Sequence, residues 1–203
     1  MSYLADPPLV KYFLAAFGQD AALLAKATET LSQSFLGGLL GEPDHKSNLR
    51  PIVETTYYDR EMGSGLVKVY LSWPRLLPPD RLVELKLLAM DLERDLAETL
   101  DDKLKRKVNL DPGYVFGGGL VLATGKYAGH RLYLGQKIWG ELTLFYRRGF
   151  QALPWTYRDY RDPEIVSLLN EMRQTYLAAI KGPAVKAAKT PRPDPNPDYR
   201  EDS

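Results

Sequence analysis

The sequence predicts an α+β domain in which an antiparallel or mixed sheet carries helices packed on one face. The first observation behind this class is the order of the elements. Segments with strand and helix patterns follow one another as strand, helix, strand, strand, helix, strand, and a β-hairpin and a last helix are appended. The second observation is that the helical segments begin at recognisable start signals, such as Asp20 and Asp162-Pro163.

Length and composition indicate one globular domain. The chain has 203 residues, of which 44% are apolar and 26% charged, and this suffices for one substantial core. A net charge of +1 argues against a general attraction to nucleic acid or to an anionic membrane. The absence of cysteine excludes disulfides and thiolate sites. With no signal-peptide pattern and no apolar run near the roughly 20 residues of a membrane helix, a cytoplasmic protein is expected.

The first elements are a central strand and an amphipathic helix. Residues 9–17, LVKYFLAAF, are almost continuously apolar, which is typical of a strand covered on both faces. A helix follows Asp20 and ends at Gly37 and Gly38. Its buried stripe is predicted to consist of Leu24, Ala27, Leu31 and Phe35.

The middle of the chain is predicted to hold a loop, two strands and a second helix. Residues 39–52 lack periodicity and indicate a long loop, and residues 51–59 and 65–73 are strand candidates. The second helix opens at Pro78-Pro79-Asp80. Its apolar stripe is Leu82, Leu85, Leu88, Leu92 and Leu96.

The last part completes one domain over residues 1–182, whose order of elements resembles an extended ferredoxin-like plan. A strand over 107–115 and a hairpin over 130–148 precede a helix from Asp162-Pro163. That helix has the stripe Ile165, Leu169, Met172, Tyr176 and Ile180. Residues 183–203 are rich in proline and charge and predict a disordered tail.

The hairpin pattern assigns side chains to two faces. A turn with an odd number of residues near Gln136–Ile138 is predicted, and Gly135 permits it. One face then carries Leu132, Leu134, Leu142 and Leu144, and the opposite face carries Arg131, Tyr133, Glu141 and Thr143. Glu141 either forms a plain cross-strand pair with Tyr133 or belongs to a site.

The stretch KVNLDPGYV, residues 107–115, places polar side chains in an apolar strand pattern. Asn109 and Asp111 are two residues apart and face the same side of a strand. Asp111-Pro112-Gly113 has the chemistry of a type II turn, because proline presets one φ and glycine accepts a positive φ. Two interpretations stay open: Asp111 only caps this turn, or the two polar side chains orient a ligand.

Several strings resemble those of a widespread bacterial family of unknown function marked by Asn-Leu-Asp-Pro-Gly-Tyr: TTYYDREMGSGL, VNLDPGY, HRLYLG, ELTLFYRRG and LPWTYRDY. The resemblance covers roughly residues 9–181 and departs at Ala89-Met90 and Gly117–Gly119. It implies no established activity, although some relatives carry a GTP-binding label. The family's motif residues map onto Asn109, Asp111, Pro112, Gly113 and Tyr114, with Tyr58, Glu61, Gly63, Arg131, Glu141 and Trp155 in the flanking blocks.

Motifs for specific chemistry are few. The string GGLVLATGKY is not a P-loop, because Gly119 lies one residue too early and Tyr127 stands where Ser or Thr is required. A different phosphate site using Lys126, Arg131 and the backbone of Gly117–Gly119 stays open beside ordinary loop glycines.

Two histidines exclude a histidine-rich metal centre. No metal is expected, although Asn109, Asp111 and Glu141 are one conceivable oxygen set for magnesium. His130 is expected to be a strand-end histidine rather than a general base. The basic run KLKRK, with Tyr57 and Tyr58, could stack and bind single-stranded RNA, which the near-neutral net charge argues against.

We therefore expect a small polar or anionic ligand, for example a nucleotide, at the NLDPGY turn; the alternative is a non-catalytic module that binds protein or RNA. Asn109 and Asp111 would orient the ligand, Lys126 and Arg131 would meet its negative charge, Glu141 would fix a tautomer or metal, and Tyr114 would wall the site. The sequence identifies no cofactor, no oligomeric state and no reaction. The predicted ligand-binding residues are Asn109, Asp111, Gly113, Tyr114, Lys126, His130, Arg131, Tyr133, Glu141 and Thr143.

Overall fold

The computed structural model describes residues 5–52, 59–100 and 103–182. The helices are α1 (Ala21–Ser34), α2 (Asp59–Met62, a single turn), α3 (Leu82–Asp95) and α4 (Pro163–Ile180). The strands are β1 (Val10–Gly18), β2 (His45–Lys46), β3 (Arg50–Pro51), β4 (Val67–Leu77), β5 (Glu98–Leu100), β6 (Lys103–Lys105), β7 (Val108–Phe116), β8 (Gly119–Thr124), β9 (Leu132–Gly135), β10 (Ile138–Tyr146) and β11 (Phe150–Ala152). Within these residues, none of the helices has the length and apolar character needed to cross a membrane.

One large sheet has the strand order β11-β10-β8-β7-β1-β4-β2, with β3 beside β4 and β9 beside β10. Every described strand pair is antiparallel, and β5 and β6 form a separate hairpin. Strand β1 lies between β4 and β7, which are connected through α3, and this is the split arrangement of a ferredoxin-like plan. The predicted α+β class is therefore confirmed, and β8–β11 extend the core.

The sheet is covered on both faces. Tyr12 and Leu14 of β1 pack in a core with α1 and α3, whereas Phe13 and Ala15 pack in a second core with α4. Two helices thus lie on one face as predicted, and α4 lies on the other. The physical reason is that β1 is apolar on both sides and needs cover on both.

The helix starts follow from the sequence. The Asp20 carboxylate accepts hydrogen bonds from the backbone N–H groups of Ala22 and Leu23, and Asp162 accepts one from Glu164. The predicted stripe of α1 is buried, as are most residues of the α4 stripe. The strand predicted over 51–59 and the tail over 183–203 lie largely or wholly outside the described residues.

The predicted turn at Asp111-Pro112-Gly113 is wrong, because β7 continues through it. Pro112 lies opposite Leu14 of β1, and Gly113 lies opposite Phe13. A Cβ atom on Gly113 would lie 2.2 Å from the backbone oxygen of Val121 in β8. This glycine is therefore required for close approach of two strands rather than for a positive φ.

The β9–β10 hairpin also differs from its prediction. Its turn has two residues, Gln136 and Lys137, with φ of 49° and 64°. The register of β9 against β10 shifts at a bulge between Ile138 and Trp139. Tyr133 therefore lies opposite Trp139, and the predicted pairing of Tyr133 with Glu141 is wrong.

Candidate functional site

A cavity of about 1060 Å³ lies where several strands end. Its walls come from β1, β4, β7, β8 and β10, from the start of α4, from α3, and from the 3₁₀ turn Arg158–Arg161. The volume is at the upper end of that of small-molecule pockets. Residues far apart in the chain therefore share one concave surface.

Five of the ten predicted ligand-binding residues line this cavity: Asn109, Asp111, Lys126, Arg131 and Glu141. The other five lie elsewhere. Gly113 is inside the β7 ladder, and Tyr114 packs at the α1–α3 core, with its ring 6.0 Å from that of Phe116. Tyr133 is exposed on β9, so neither tyrosine walls the cavity.

His130 and Thr143 support Glu141 instead. The His130 ring nitrogen Nε2 lies 2.9 Å from Glu141 Oε2, and Arg131 Nε donates to the same oxygen at 2.8 Å. The buried Thr143 hydroxyl donates to the other oxygen at 3.4 Å. Since Glu141 is itself buried, these contacts compensate its charge and fix Arg131 at the cavity wall.

The motif side chains form a continuous hydrogen-bonded network. Arg106 donates to both carboxylate oxygens of Glu61, at 2.5 and 2.9 Å, and to Asn109 Oδ1 at 2.7 Å. Asn109 Nδ2 in turn donates to Asp111 Oδ2 at 2.8 Å. The hydrogen bonds from Arg106 lower the pKa of Glu61. Each end of the Asn109 amide thus has a hydrogen-bond partner within the chain, and Asn109 holds Asp111 in position at the cavity wall.

Helix α3 completes the free edge of β7. Pairing with β8 ends at Gly113, opposite Leu122, so the backbone of Leu110 has no strand partner there. Its N–H donates to Glu93 Oε1 at 2.6 Å, and its carbonyl accepts from Lys86 Nζ at 2.8 Å. Pro112 is two residues along, so the amide hydrogen it lacks would point to the same edge.

This interruption of the ladder shapes the site. Lys86 and Glu93 belong to a helix on the opposite face of the sheet, yet both line the cavity. Lys86 Nζ also lies 3.4 Å from Asp111 Oδ1. The Asp111 side chain remains 35% exposed, so it is held from two sides and still accessible.

Glu93 is the buried acid of the site. Its burial raises its pKa above the ordinary value of 4.5, although Lys86 and the N–H of Leu110 act in the opposite direction. Its second oxygen lies 3.6 Å from Arg106. A buried carboxyl with a raised pKa in a cavity wall is a common feature of functional sites.

Another wall is aromatic. The ammonium group of Lys68 lies 5.2 Å from the ring centres of Tyr70 and Tyr160 and 5.6 Å from that of Phe17. Lys68 and the Tyr70 hydroxyl both donate to Asp159 Oδ2, at 2.5 and 2.7 Å. Burial raises the pKa of Tyr70, so its hydroxyl stays protonated.

The outer wall joins a loop to α4. Arg50 in β3 donates to Asp162 at 2.6 Å and also to Glu164, both at the start of α4. Partial desolvation raises the pKa of Tyr157, which lies near Arg131 and Glu141.

Sequence reasoning missed most of these contributors, including Lys86, Glu93 and Arg106. One signal for two of them exists. Lys86 and Glu93 fall at helical spacing with Leu82 and Ala89, so two charged residues occupy the buried stripe of α3. Arg106 offers no local signal, because its carboxylate partners, Glu61 and Glu93, are distant in the sequence.

A serine, a histidine and an aspartate also meet away from the cavity. Ser72 Oγ lies 3.1 Å from His45 Nδ1, and Asp44 Oδ1 lies 3.0 Å from the same nitrogen. A catalytic triad requires the serine and the aspartate on different ring nitrogens, and Ser72 is fully buried. The cluster instead compensates the buried Lys11, which donates to Asp44 at 2.5 Å. Within the described ranges, no group of three or more His, Asp or Glu side chains could hold a metal ion.

Comparison with protein families identifies one match. A family model described as a domain of unknown function (DUF4416) matches residues 8–176, and the chain belongs to this family. Comparisons with curated proteins and with solved structures give no match.

Proposed function

We propose that this family member binds a small polar ligand with a negatively charged group, for example a nucleotide, in the cavity beside β7. The observation that carries the proposal is the convergence of Asp111, Lys126, Arg131 and Glu141, from strands β7 and β10 and the loop between β8 and β9, on one cavity of about 1060 Å³. Pockets that gather a few polar groups on a largely preformed surface are typical of small-molecule sites.

The charges on the cavity wall favour a ligand with both donors and an anionic group. Seven Lys and Arg side chains and six Asp and Glu side chains line it, so the wall has no large excess of either sign. Most of the acids lie in tight ion pairs, such as Glu141 with Arg131 and Asp159 with Lys68. Asp111, whose nearest cation is 3.4 Å away, is available to accept hydrogen bonds from a ligand.

The cations divide into two groups. Lys86 and Arg106 are engaged with the backbone and side chains of β7. Lys126, Arg131 and the exposed Arg158 also line the wall, and their side chains can meet a phosphate or carboxylate. The anionic group of the ligand is assigned to this second group, and its hydrogen-bond donors to Asp111.

Thermal unfolding with a ligand panel tests the proposal. The panel contains nucleoside mono- and triphosphates, sugar phosphates, amino acids and inorganic phosphate. A ligand at a hundredfold excess over Kd adds about 2.7 kcal/mol to the free energy of unfolding, which is a rise of about 5–10 °C for a domain of this size. Asp111→Asn should remove this rise and leave the unliganded protein within about 1 kcal/mol of wild type, because Asn109 keeps an acceptor.

Asp91→Asn is the matched control, since Asp91 is exposed on α3 and pairs with Arg94. It should leave the ligand response unchanged. The proposal fails if no compound shifts the wild-type midpoint, or if Asp111→Asn responds as wild type does. The alternative function, a non-catalytic interaction module, is favoured by a different surface on β8–β10.

A further inference from the structure

The charge of the chain is unevenly distributed. Residues 117–158, which form β8 to β11 and the following loop, contain six Lys and Arg residues and one acid, Glu141. Their net charge is +5, against +1 for the whole chain. Because Glu141 is buried and paired with Arg131, no carboxylate of this segment reaches its surface. The near-neutral total therefore conceals a strongly basic part.

The same segment carries all the exposed aromatic side chains of the described residues: Tyr127, Tyr133, Phe145, Trp155 and Tyr157. Tyr127 is 74% exposed and Tyr133 is 59% exposed. Single exposed aromatic residues are common in soluble proteins. A group of them in a basic segment whose own carboxylate is buried indicates an interaction site.

Ring contacts group several of these side chains into two clusters. Trp139 lies between Tyr127 and Tyr133, with ring centres 5.1 and 5.0 Å away. His130 stacks on Trp155 at 4.5 Å with nearly parallel rings. We call the surface formed by Tyr127, Tyr133, Lys137, Trp139, Trp155 and Arg158 the basic aromatic surface.

We propose that the basic aromatic surface binds single-stranded nucleic acid. Aromatic side chains stack on unpaired bases, and neighbouring Lys and Arg side chains attract the phosphates. A protein partner would need an acidic segment to match the positive charge, whereas a single strand supplies a phosphate at every nucleotide and a base to stack beside it. The inference is independent of the cavity ligand, although Arg158 lies at the boundary of both sites.

Fluorescence anisotropy with a labelled oligonucleotide of about 12 nucleotides tests the inference. The arms are single-stranded RNA, single-stranded DNA of the same sequence, the RNA duplex, and an acidic polypeptide of similar length. We expect binding of the single strands in preference to the duplex, and the RNA and DNA arms identify the natural partner. The logarithm of the association constant should fall linearly with the logarithm of salt concentration, with a slope of about −0.7 for each phosphate contacted.

Two sets of variants, each with a control, separate the contribution of stacking from that of charge. Tyr127→Ala and Tyr133→Ala should each weaken binding about tenfold, because each removes a stacking face. Phe145→Ala is the control, since Phe145 is exposed but follows the buried Leu144 in β10 and points to the other face. Lys137→Gln should reduce the salt slope by about 0.7, whereas Lys26→Gln, on the exposed side of α1, should not.

Three results would overturn the inference. One is no binding of either single strand up to about 100 µM protein at low salt. Another is equal affinity for duplex and single strand with no effect of the tyrosine changes, which would show only general attraction to phosphates. The third is tighter binding of the acidic polypeptide, which would identify a protein-docking surface. Because all five positions are exposed, the variants should keep the wild-type unfolding midpoint, and the thermal response to a cavity ligand should stay unchanged.

Discussion

Lys86→Met tests whether α3, rather than a strand, completes the edge of β7. The Lys86 side chain is 7% exposed, and its ammonium group donates to the Leu110 carbonyl at 2.8 Å. Methionine has similar length and fits irregular cores, so the substitution removes the donor without leaving a large cavity.

The expected loss is about 2 kcal/mol in the free energy of unfolding. A buried carbonyl left without a partner costs about 1–3 kcal/mol. The contact with Asp111 adds little, because it is 3.4 Å long and Asp111 is partly exposed. Removing a buried ammonium group offsets part of the loss, since its desolvation is unfavourable.

Urea unfolding of wild type and variant measures this loss as a change in midpoint at unchanged slope. Arg94→Met is the matched control. Arg94 is a cation on the same helix, is 62% exposed, and pairs only with Asp91 among the described residues, so its replacement should cost less than about 0.5 kcal/mol.

If Lys86→Met costs no more than Arg94→Met, the reasoning is wrong. Water or another donor would then satisfy the Leu110 carbonyl, and the edge of β7 would not depend on α3.

Two further predictions concern the same region. Burial raises the pKa of Glu93 above 4.5, so its contribution to stability is complete below about pH 4.5 and is lost as pH rises through the raised pKa. Relative to wild type, Glu93→Gln should therefore gain stability between about pH 4.5 and 7 in urea unfolding. A difference in stability that does not change with pH would contradict this. Gly113→Ala should lower the free energy of unfolding by about 3 kcal/mol, because its Cβ would lie 2.2 Å from the Val121 oxygen. Gly117→Ala, which has open space around it, should lower it by less than about 0.5 kcal/mol. Equal losses in thermal or urea unfolding would show that β7 and β8 are not closely packed.

The elements that the sequence predicted correctly are those with local signals. Helix α1 begins at Asp20, whose carboxylate caps it, and α4 begins at Asp162-Pro163. The apolar run of β1 also predicted its central, doubly covered position. These signals depend on residues within one turn or one strand, so they are readable without knowledge of the rest of the chain.

The motif shows where local chemistry is insufficient. Pro112 and Gly113 have every property of a turn, but the pairing of both with β1, and of Gly113 also with β8, keeps them in a strand. Nonlocal pairing overrides local preference here. The same limitation applies to the site. The position of Asp111 depends on Asn109 and Lys86, and Lys86 lies on helix α3, 25 residues before Asp111 in the sequence.

The place where the β7–β8 ladder ends determines both the structure of the motif and its position in the proposed ligand site. Extending the ladder by three residues, from Gly113 to Leu110, would satisfy Leu110 without any charged group, and an apolar helix could then cover the edge. The protein instead buries Lys86 and Glu93 there, which is costly unless each is paired. The ladder ends beside Leu122, and the cavity is lined from that point by Leu122, Ala123 and Thr124. The interruption gives Asp111 both its fixed position and its access to the cavity. A change at Lys86 should therefore weaken the fold and the ligand response together. Asp111→Asn, in contrast, should affect the ligand response alone.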